Sequence, residues 1–427
     1  MEASGGSARR GRSVGYGDTG PYSAFAQHVA QLSGVYDNDG ADDAISKLRS
    51  RAAELEVSEE PDEVATHLAI LSGIPVEDSV ADRETLFFSA RVFLEAVARE
   101  RPTMLVFEDL HFADASLMDL IEFLASRVQD VPLLLVVTAR PELLTARPSW
   151  GGGLPASSTL SLGPLSDDDA IELTDRLFAE RGLDDLVDRA GALAATSEGN
   201  PLFIEELTAS LAERSTRDPE RLPSSIRSIV AARLDSLPEQ ERNTIFDAAV
   251  VGKVFWRGAI ERLRPDAPDL APILGALERR DLIRREASSR IKGEQQFAFK
   301  HGLIREVAYL TLPREARRRC HRATAEYLEE VTLRAGDADA TLAHHWREAG
   351  EPEPALHHLL AAAELAGRGW AKARAVALYG QALELVPEDA RELKKEIVQK
   401  RAIMAVASFH EFLDMGAGQP PEPGGSS

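Results

Sequence analysis

The chain has 427 residues, of which 44% are hydrophobic and 28% charged, with a net charge of −21; at roughly 100–200 residues per domain this is a soluble chain of two to four domains. Such an acid excess repels nucleic acid overall, although it leaves room for local basic patches. One cysteine, Cys320, excludes an intrachain disulfide and a cysteine-rich zinc site and fits a reducing, cytoplasmic setting.

Taken in order, residues 1–11 are small and Gly/Ser-rich and are expected to lack order. No apolar stretch follows the arginines of "MEASGGSARRGRS", so no signal peptide is read there. "GRSVGYGDTGPYSAFAQHVAQLSGV" predicts a short strand, a Gly/Pro turn and a helix from about Tyr22. "DRETLFFSARVFLEAVARE" is an amphipathic helix, with Leu86, Val92, Phe93, Ala96 and Val97 at helical spacing. "TMLVF" is a buried strand. "SLMDLIEFLASRV" is a helix with Leu117, Leu120, Ile121 and Leu124 on one face, and "VPLLLVVTAR" is a second buried strand. Strand, helix, strand at this spacing is a βαβ unit, and continuous apolar strands argue for a parallel sheet. "VPLLLVVTA" is the longest apolar run, far short of the roughly 20 residues of a membrane helix. "STLSLGPLS" is expected to end the sheet. Helices follow from Ser166, an N-cap before three acids. "EGNPLFIEEL" breaks one helix and starts another, and "RSTRDPERLP" reads as a linker. Residues 223–300 give three helices and then a hairpin in "DLIRREASSRIKGEQQFAFKH", a winged-helix pattern. Further on, Ala375, Tyr379, Ala382 and Pro387 carry the spacing of the second helix of a tetratricopeptide repeat, with "HHWREAGEPEPALHHLLAAAELA" as a degenerate repeat before it. The tail "GAGQPPEPGGSS" is expected to be disordered.

The chemistry concentrates in "MLVFEDLHFADAS". Glu108 and Asp109 end an apolar strand, and ligands of open α/β sheets sit beyond the carboxyl ends of the strands. The first acid there can hold Mg²⁺ through water, and the second can orient an attacking water. The plainer reading is a helix cap beside a solvated acid.

Together, "VFEDLHFAD", "LLLVVTARPE", "EGNPLFIEEL" and "FAFKHGLIREVAYLTLPREARRRCHRATAEYLEE" resemble the STAND class of AAA-like P-loop ATPase regulators, in the branch of cyclase-associated and large LuxR-type proteins. The resemblance spans roughly residues 11–390. It implies an α/β P-loop NTPase-like parallel sheet, incomplete because the P-loop is missing, followed by a helical lid, a winged helix and α-helical TPR-like repeats. The implied division is 1–11 disordered, 12–165 partial ATPase core, 166–220 lid, 221–312 winged helix, 313–412 repeats and 413–427 disordered. By the same resemblance ATP and Mg²⁺ are the cofactors, Glu108 takes the metal position and Asp109 the catalytic-base position. Arg140 takes the place of the residue that reads the terminal phosphate. Gly199, Asn200 and Pro201 match the element whose proline packs on the nucleotide base. His111 and Asp114 belong to an extension in which the family carries Trp where this chain has Phe112.

A P-loop reads GxxxxGK[ST]. The chain's one Gly-Lys pair, Gly252-Lys253, is followed by Val254 and does not fit. The sequence is expected to begin after the place of the P-loop, with impaired ATP binding as the consequence. Between Arg279 and Arg322, 13 Lys/Arg stand against 5 Asp/Glu; this basic face is read as docking on the acidic body rather than on DNA. The pairs His344-His345 and His357-His358 are read as packing residues, and Cys320 as a packed thiol. The function expected is that of a fragment of an ATP-dependent signal-transduction regulator, with protein partners on its repeats and an output or P-loop segment elsewhere. The alternatives are a non-catalytic interaction module and a DNA-binding transcriptional regulator acting through the basic winged helix.

Overall fold

In a computed structural model, the protein is described over residues 5–14, 20–76, 81–154, 156–213, 225–265, 269–332 and 337–416. It forms two compact units. The first comprises Met1–Ser157, Arg290–Lys292 and Ala325–Ser427, and the second Ser158–Ser289 and Gly293–Thr324.

The first unit opens with strand β1 (Ser7–Arg12), then helices α1 (Ser23–Ser33), α2 (Ala41–Glu54), α3 (Pro61–Leu71) and α4 (Arg83–Glu100). Strand β2 (Thr103–Glu108), α5 (Ala115–Arg127), β3 (Leu133–Val137) and the short α6 (Glu142–Ala146) follow. The strands form a parallel sheet in the order β1-β2-β3, with Ser7 opposite Thr103, Arg12 opposite Glu108 and Phe107 opposite Val137. Leu105 and Phe107 turn one face of the sheet into a core shared with Phe25, Val29, Leu86, Phe93, Leu117 and Leu124. The helical spacing read from the sequence is therefore the buried side of α4 and α5.

The reading of the first residues needs correction. Residues 7–12 lie largely inside the stretch expected to be disordered, yet they form β1. "SARRGR" has no apolar run; pairing makes it a strand. The Ser7 amide donates to the Pro102 carbonyl (2.8 Å), and the Ser7 and Thr103 hydroxyls are 3.1 Å apart. Gly11 is required here, because a Cβ on it would lie 2.1 Å from the Ala24 carbonyl oxygen of α1.

The two outer edges of this sheet differ. On β1, the Gln27 side chain accepts from the Arg12 amide (3.0 Å) and donates to its carbonyl (3.1 Å), while Gln31 donates to the Arg10 carbonyl (2.8 Å). Helix α1 thus covers that edge with its own amides. On the other side β3 has one ladder partner, β2, among the described residues. Leu134 of β3 is 52% exposed.

The second unit begins with irregular chain at residues 158–166, where "STLSLGPLS" forms no strand. Leu160 and Leu162 stay exposed, since an alternating segment without a ladder partner cannot become sheet. Helix α7 (Asp167–Arg181) starts at Ser166, whose hydroxyl accepts from the Asp169 amide (3.2 Å). It is followed by α8 (Ala190–Thr196), α9 (Pro201–Glu213), α10 (Ile226–Asp235) and α11 (Glu239–Val251). Strand β4 (Val254–Trp256), α12 (Arg257–Leu263), α13 (Leu270–Arg279), β5 (Ile283–Arg285), β6 (Gln296–Phe299) and α14 (Gly302–Thr311) complete it. The expected hairpin is β5 and β6, antiparallel, and β4 joins it in the order β4-β6-β5. Three residues, "VFW", are too short a run to announce a strand in sequence.

Helix α15 (Arg314–Val331) leads back into the first unit. There α16 (Asp337–Ala349), α17 (Pro352–Arg368), α18 (Lys372–Leu385) and α19 (Arg391–Gly416) pack in succession. Ala375, Tyr379 and Ala382 are buried in that stack beside Leu359 and Ala363, as the repeat spacing predicts. The expected linker at 214–223 lies outside the described residues, as does the expected tail from residue 417 on; residues 413–416, read as part of that tail, instead continue α19, whose helical hydrogen bonding carries on to Gly416. No helix among the described residues is long and apolar enough to cross a membrane.

Candidate functional site

The site of interest in the first unit lies at the carboxyl end of its sheet. Strand β2 ends on Glu108. Asp109 then turns the chain in the left-handed region (φ 58°), which an aspartate tolerates better than most residues. This turn is tied to the end of β3. The Asp109 amide donates to Thr138 Oγ1 (3.2 Å), the Leu110 amide to the Thr138 carbonyl (2.9 Å) and the Thr138 amide to the Phe107 carbonyl (3.0 Å). The two carboxylates are therefore held on a rigid strand end rather than on a loose loop.

Arg140 comes to the same end. Its amide donates to His111 Nδ1 (3.3 Å), and its guanidinium lies 6.0 Å from the Phe112 ring centroid. The aromatic ring at position 112 thus supports the arginine by a cation–π contact. Asp114 caps α5, where its Oδ1 accepts from the Ser116 amide (2.9 Å). Glu108 and Asp109 share the end of β2, Arg140 is tied to His111 and Phe112, and Asp114 serves the helix.

The residue that sequence reasoning missed is Arg12. Opposite Glu108 in the ladder, it points to the same side of the sheet. Its Nη2 donates to Glu108 Oε2 at short range, and its Nε lies 3.8 Å from Asp109 Oδ2. The side chains of Arg12 and Glu108 are both about four-fifths buried (18% and 19% exposed). Arg10, more exposed, places Nη1 3.8 Å from Glu108 Oε1. Behind the strands, His28 is fully buried against Phe107, with ring centroids 4.6 Å apart, and burial depresses its pKa to about 3. It is a neutral spacer, not an acid or base at neutral pH.

This arrangement bears on the Mg²⁺–nucleotide that the sequence resemblance implies. The first acid, which would hold the metal, already carries a guanidinium, and the second lies near the same cation. The residues as placed do not fit a divalent ion at Glu108.

Gly199, Asn200 and Pro201 belong to the second unit. Gly199 has φ +70°, and a Cβ there would lie 2.5 Å from the Leu165 carbonyl oxygen, so the position demands glycine. Its own carbonyl accepts from the Leu165 amide (2.9 Å). Asn200 Oδ1 accepts from the Phe203 amide (3.3 Å), and Pro201 is the first residue of α9. The motif is a complete helix start in its own right.

Two further polar clusters were not foreseen. In the second unit, the buried Arg233 donates to Glu206 Oε2 (2.5 Å), Glu213 Oε1 (2.8 Å) and the Arg280 carbonyl (2.8 Å). Cys320 donates to Asp247 Oδ1 (3.4 Å), and burial together with that carboxylate pushes its thiol up to about 12. Among the described residues no group of three or more His, Cys, Asp or Glu is arranged to hold a metal.

No protein-family profile matches the chain. It is 29% identical over 343 residues to an uncharacterized protein of Rhizobium meliloti (strain 1021), covering 77% of this chain and 32% of that protein. Among solved structures it is similar to a signal transduction ATPase with numerous domains, a STAND protein with a tetratricopeptide repeat sensor, from Pyrococcus horikoshii. The TM-score is 0.51 at 14% identity, over 93% of this chain and 55% of that one. A likeness to the Aeropyrum pernix ORC1 protein in complex with DNA has a TM-score of 0.26 at 15% identity, covering 67% of this chain and 91% of that one, and carries no argument. The chain spans about a third of the relative's length and just over half of the STAND structure's. Its fold is STAND-like: mostly helical, with a small parallel sheet and tetratricopeptide-like repeats.

Proposed function

We propose that this chain is a regulatory portion of a signal-transduction ATPase of the STAND type, one that does not turn over ATP by itself. The observation that carries the reading is the parallel sheet whose carboxyl end gathers Glu108, Asp109 and Arg140. In this reading Glu108 descends from a metal-holding acid and Asp109 from a water-orienting base. Arg140 descends from the residue that senses the terminal phosphate, and Gly199-Asn200-Pro201 from the lid's base contact. Helices α10 to α14 with β4, β6 and β5 form the winged helix, and α16 to α19 bind protein partners. The parent's output is a nucleotidyl cyclase or a transcriptional domain.

Two features support weak nucleotide binding by this polypeptide. Its 427 residues contain no GxxxxGK[ST]. A phosphate thereby lacks the row of backbone N–H donors and the lysine that such a loop supplies. Arg12 also engages the acid that would hold Mg²⁺.

The test is titration with a fluorescent ATP analogue and Mg²⁺, beside a Glu108→Gln/Asp109→Asn variant. The expected result is no saturable binding up to about 1 mM nucleotide in either protein. Micromolar binding that disappears in the variant would overturn the weak nucleotide binding on which the reading of a non-turnover module rests.

A further inference from the structure

We propose that Arg12 is the built-in cation of the Glu108–Asp109 pair and that it keeps divalent metal out of this site. The inference rests on reading the two acids as a former cation site. It does not rest on nucleotide binding, and its test uses metal alone.

Three observations on different parts of the fold converge. First, the ladder register sets Arg12 directly opposite Glu108, so the pairing is fixed by the sheet. Second, one guanidinium serves both acids. Nη2 bonds Glu108 Oε2, and Nε stands 3.8 Å from Asp109 Oδ2. Both partners of the first contact are largely shielded from water, where a charge pair is strong and an uncompensated charge is costly. Third, the backbone of Arg12 is held at both its N–H and its C=O by Gln27, and the preceding Gly11 lets α1 sit directly on the strand. The arginine is thus presented to Glu108 by a braced strand, where a long side chain on a loose loop would pay entropy to stay.

The chemistry of exclusion follows. A guanidinium is always charged and offers donors in a rigid fork that suits carboxylates. Mg²⁺ demands close-to-octahedral oxygen ligands and surrenders its waters reluctantly. To reach Glu108 it must displace a cation that has already lost most of its water, or sit beside that cation and be repelled by it. Neither route is favourable while β1 stays paired to β2. Removing the charge of Arg12 leaves two acids on a rigid strand end beside the more exposed and weakly held Arg10, 3.8 Å from Glu108, and reverses the preference.

The probe is Mn²⁺, followed by the loss of its free aqueous electron paramagnetic resonance signal. Five proteins are compared: wild type, Arg12→Met, Arg12→Lys, Glu108→Gln and Arg12→Met/Glu108→Gln. Wild type and Arg12→Lys are expected to show no saturable site. Arg12→Met keeps the aliphatic stem and is expected to take one Mn²⁺ per chain, at least about tenfold tighter than wild type. The double variant is expected to lose it. Saturable Mn²⁺ binding by wild type that Glu108→Gln abolishes would overturn the proposal, as would Arg12→Met binding no more tightly than wild type. Should Arg12→Met fail to fold by circular dichroism, Gln27→Leu releases the brace and leaves the charge. It is expected to bind Mn²⁺ between wild type and the values above, and wild-type behaviour there would refute the role assigned to the brace.

Discussion

Replacing Arg233 with alanine tests the heaviest electrostatic commitment in the second unit. Arg233 and Glu206 are both nearly inaccessible, and Glu213 is mostly so (2%, 3% and 15% exposed). Burial disfavours the arginine's charge, but its bonds to Glu213 and Glu206 outweigh that and keep it protonated. With the arginine gone, Glu206 is left in the core with no counter-charge, a change that costs about 3–5 kcal/mol. At about 1.4 kcal/mol per tenfold, amide hydrogen exchange in α9 and α10 should accelerate by two to nearly four orders of magnitude. Exchange is the suitable assay because a chain of two units need not unfold in one step. An apolar exchange of all three members, Arg233→Met with Glu206→Leu and Glu213→Leu, should come close to wild type, since it removes the charges and their desolvation together. Acceleration of less than tenfold in the alanine variant would show that the triad is a surface-like ion pair and that its burial has been misjudged.

Two other outcomes follow from features of the first unit. His358 places Nδ1 2.7 Å from Asp339 Oδ1 and Nε2 3.1 Å from Glu329 Oε1, so both ring nitrogens face carboxylates. Burial lowers its pKa, but these two acids outweigh burial and raise it. The stabilisation is therefore complete below about 6.5, the unfolded value, and is lost as pH rises through the folded one. Exchange in α16 and α17 should quicken from pH 6 to pH 8.5 beyond its intrinsic rate, and a His358→Gln variant without that excess would confirm the source. An equal pH response in both proteins would refute it. Leu134→Lys puts a charge on the exposed edge strand β3. It should leave thermal stability within about 0.5 kcal/mol while reducing self-association in light scattering, as charged edges do; unchanged association would locate the sticky surface elsewhere.

Local signals were readable from sequence, and pairings between distant segments were not. The apolar runs of β2 and β3 and the buried faces of α4 and α5 follow from side-chain periodicity, which is a property of neighbours. Gly199-Asn200-Pro201 was legible for the same reason, because glycine, cap and proline each act within one turn. Sequence reading places β1 too late in the chain, as a short strand from Gly11, because three arginines with a serine, an alanine and a glycine become a strand only when Thr103 and its neighbours are beside them. Arg12 is 96 residues from Glu108, and nothing local to either announces the other. The lack of a strand at 158–166 has the converse cause: the alternation of Leu160 and Leu162 is a strand signal, but no ladder partner among the described residues takes it up.

The brace behind Arg12 also has a mechanical meaning. Gln27 grips the strand's last residue at two points, Gln31 grips Arg10, and at Gly11 there is no room for even a methyl group between helix and strand. Helix α1 and strand β1 consequently behave as one stiff bracket, with the guanidinium as its tip. The position of the guanidinium at Glu108 is thereby set from α1, through the strand it holds.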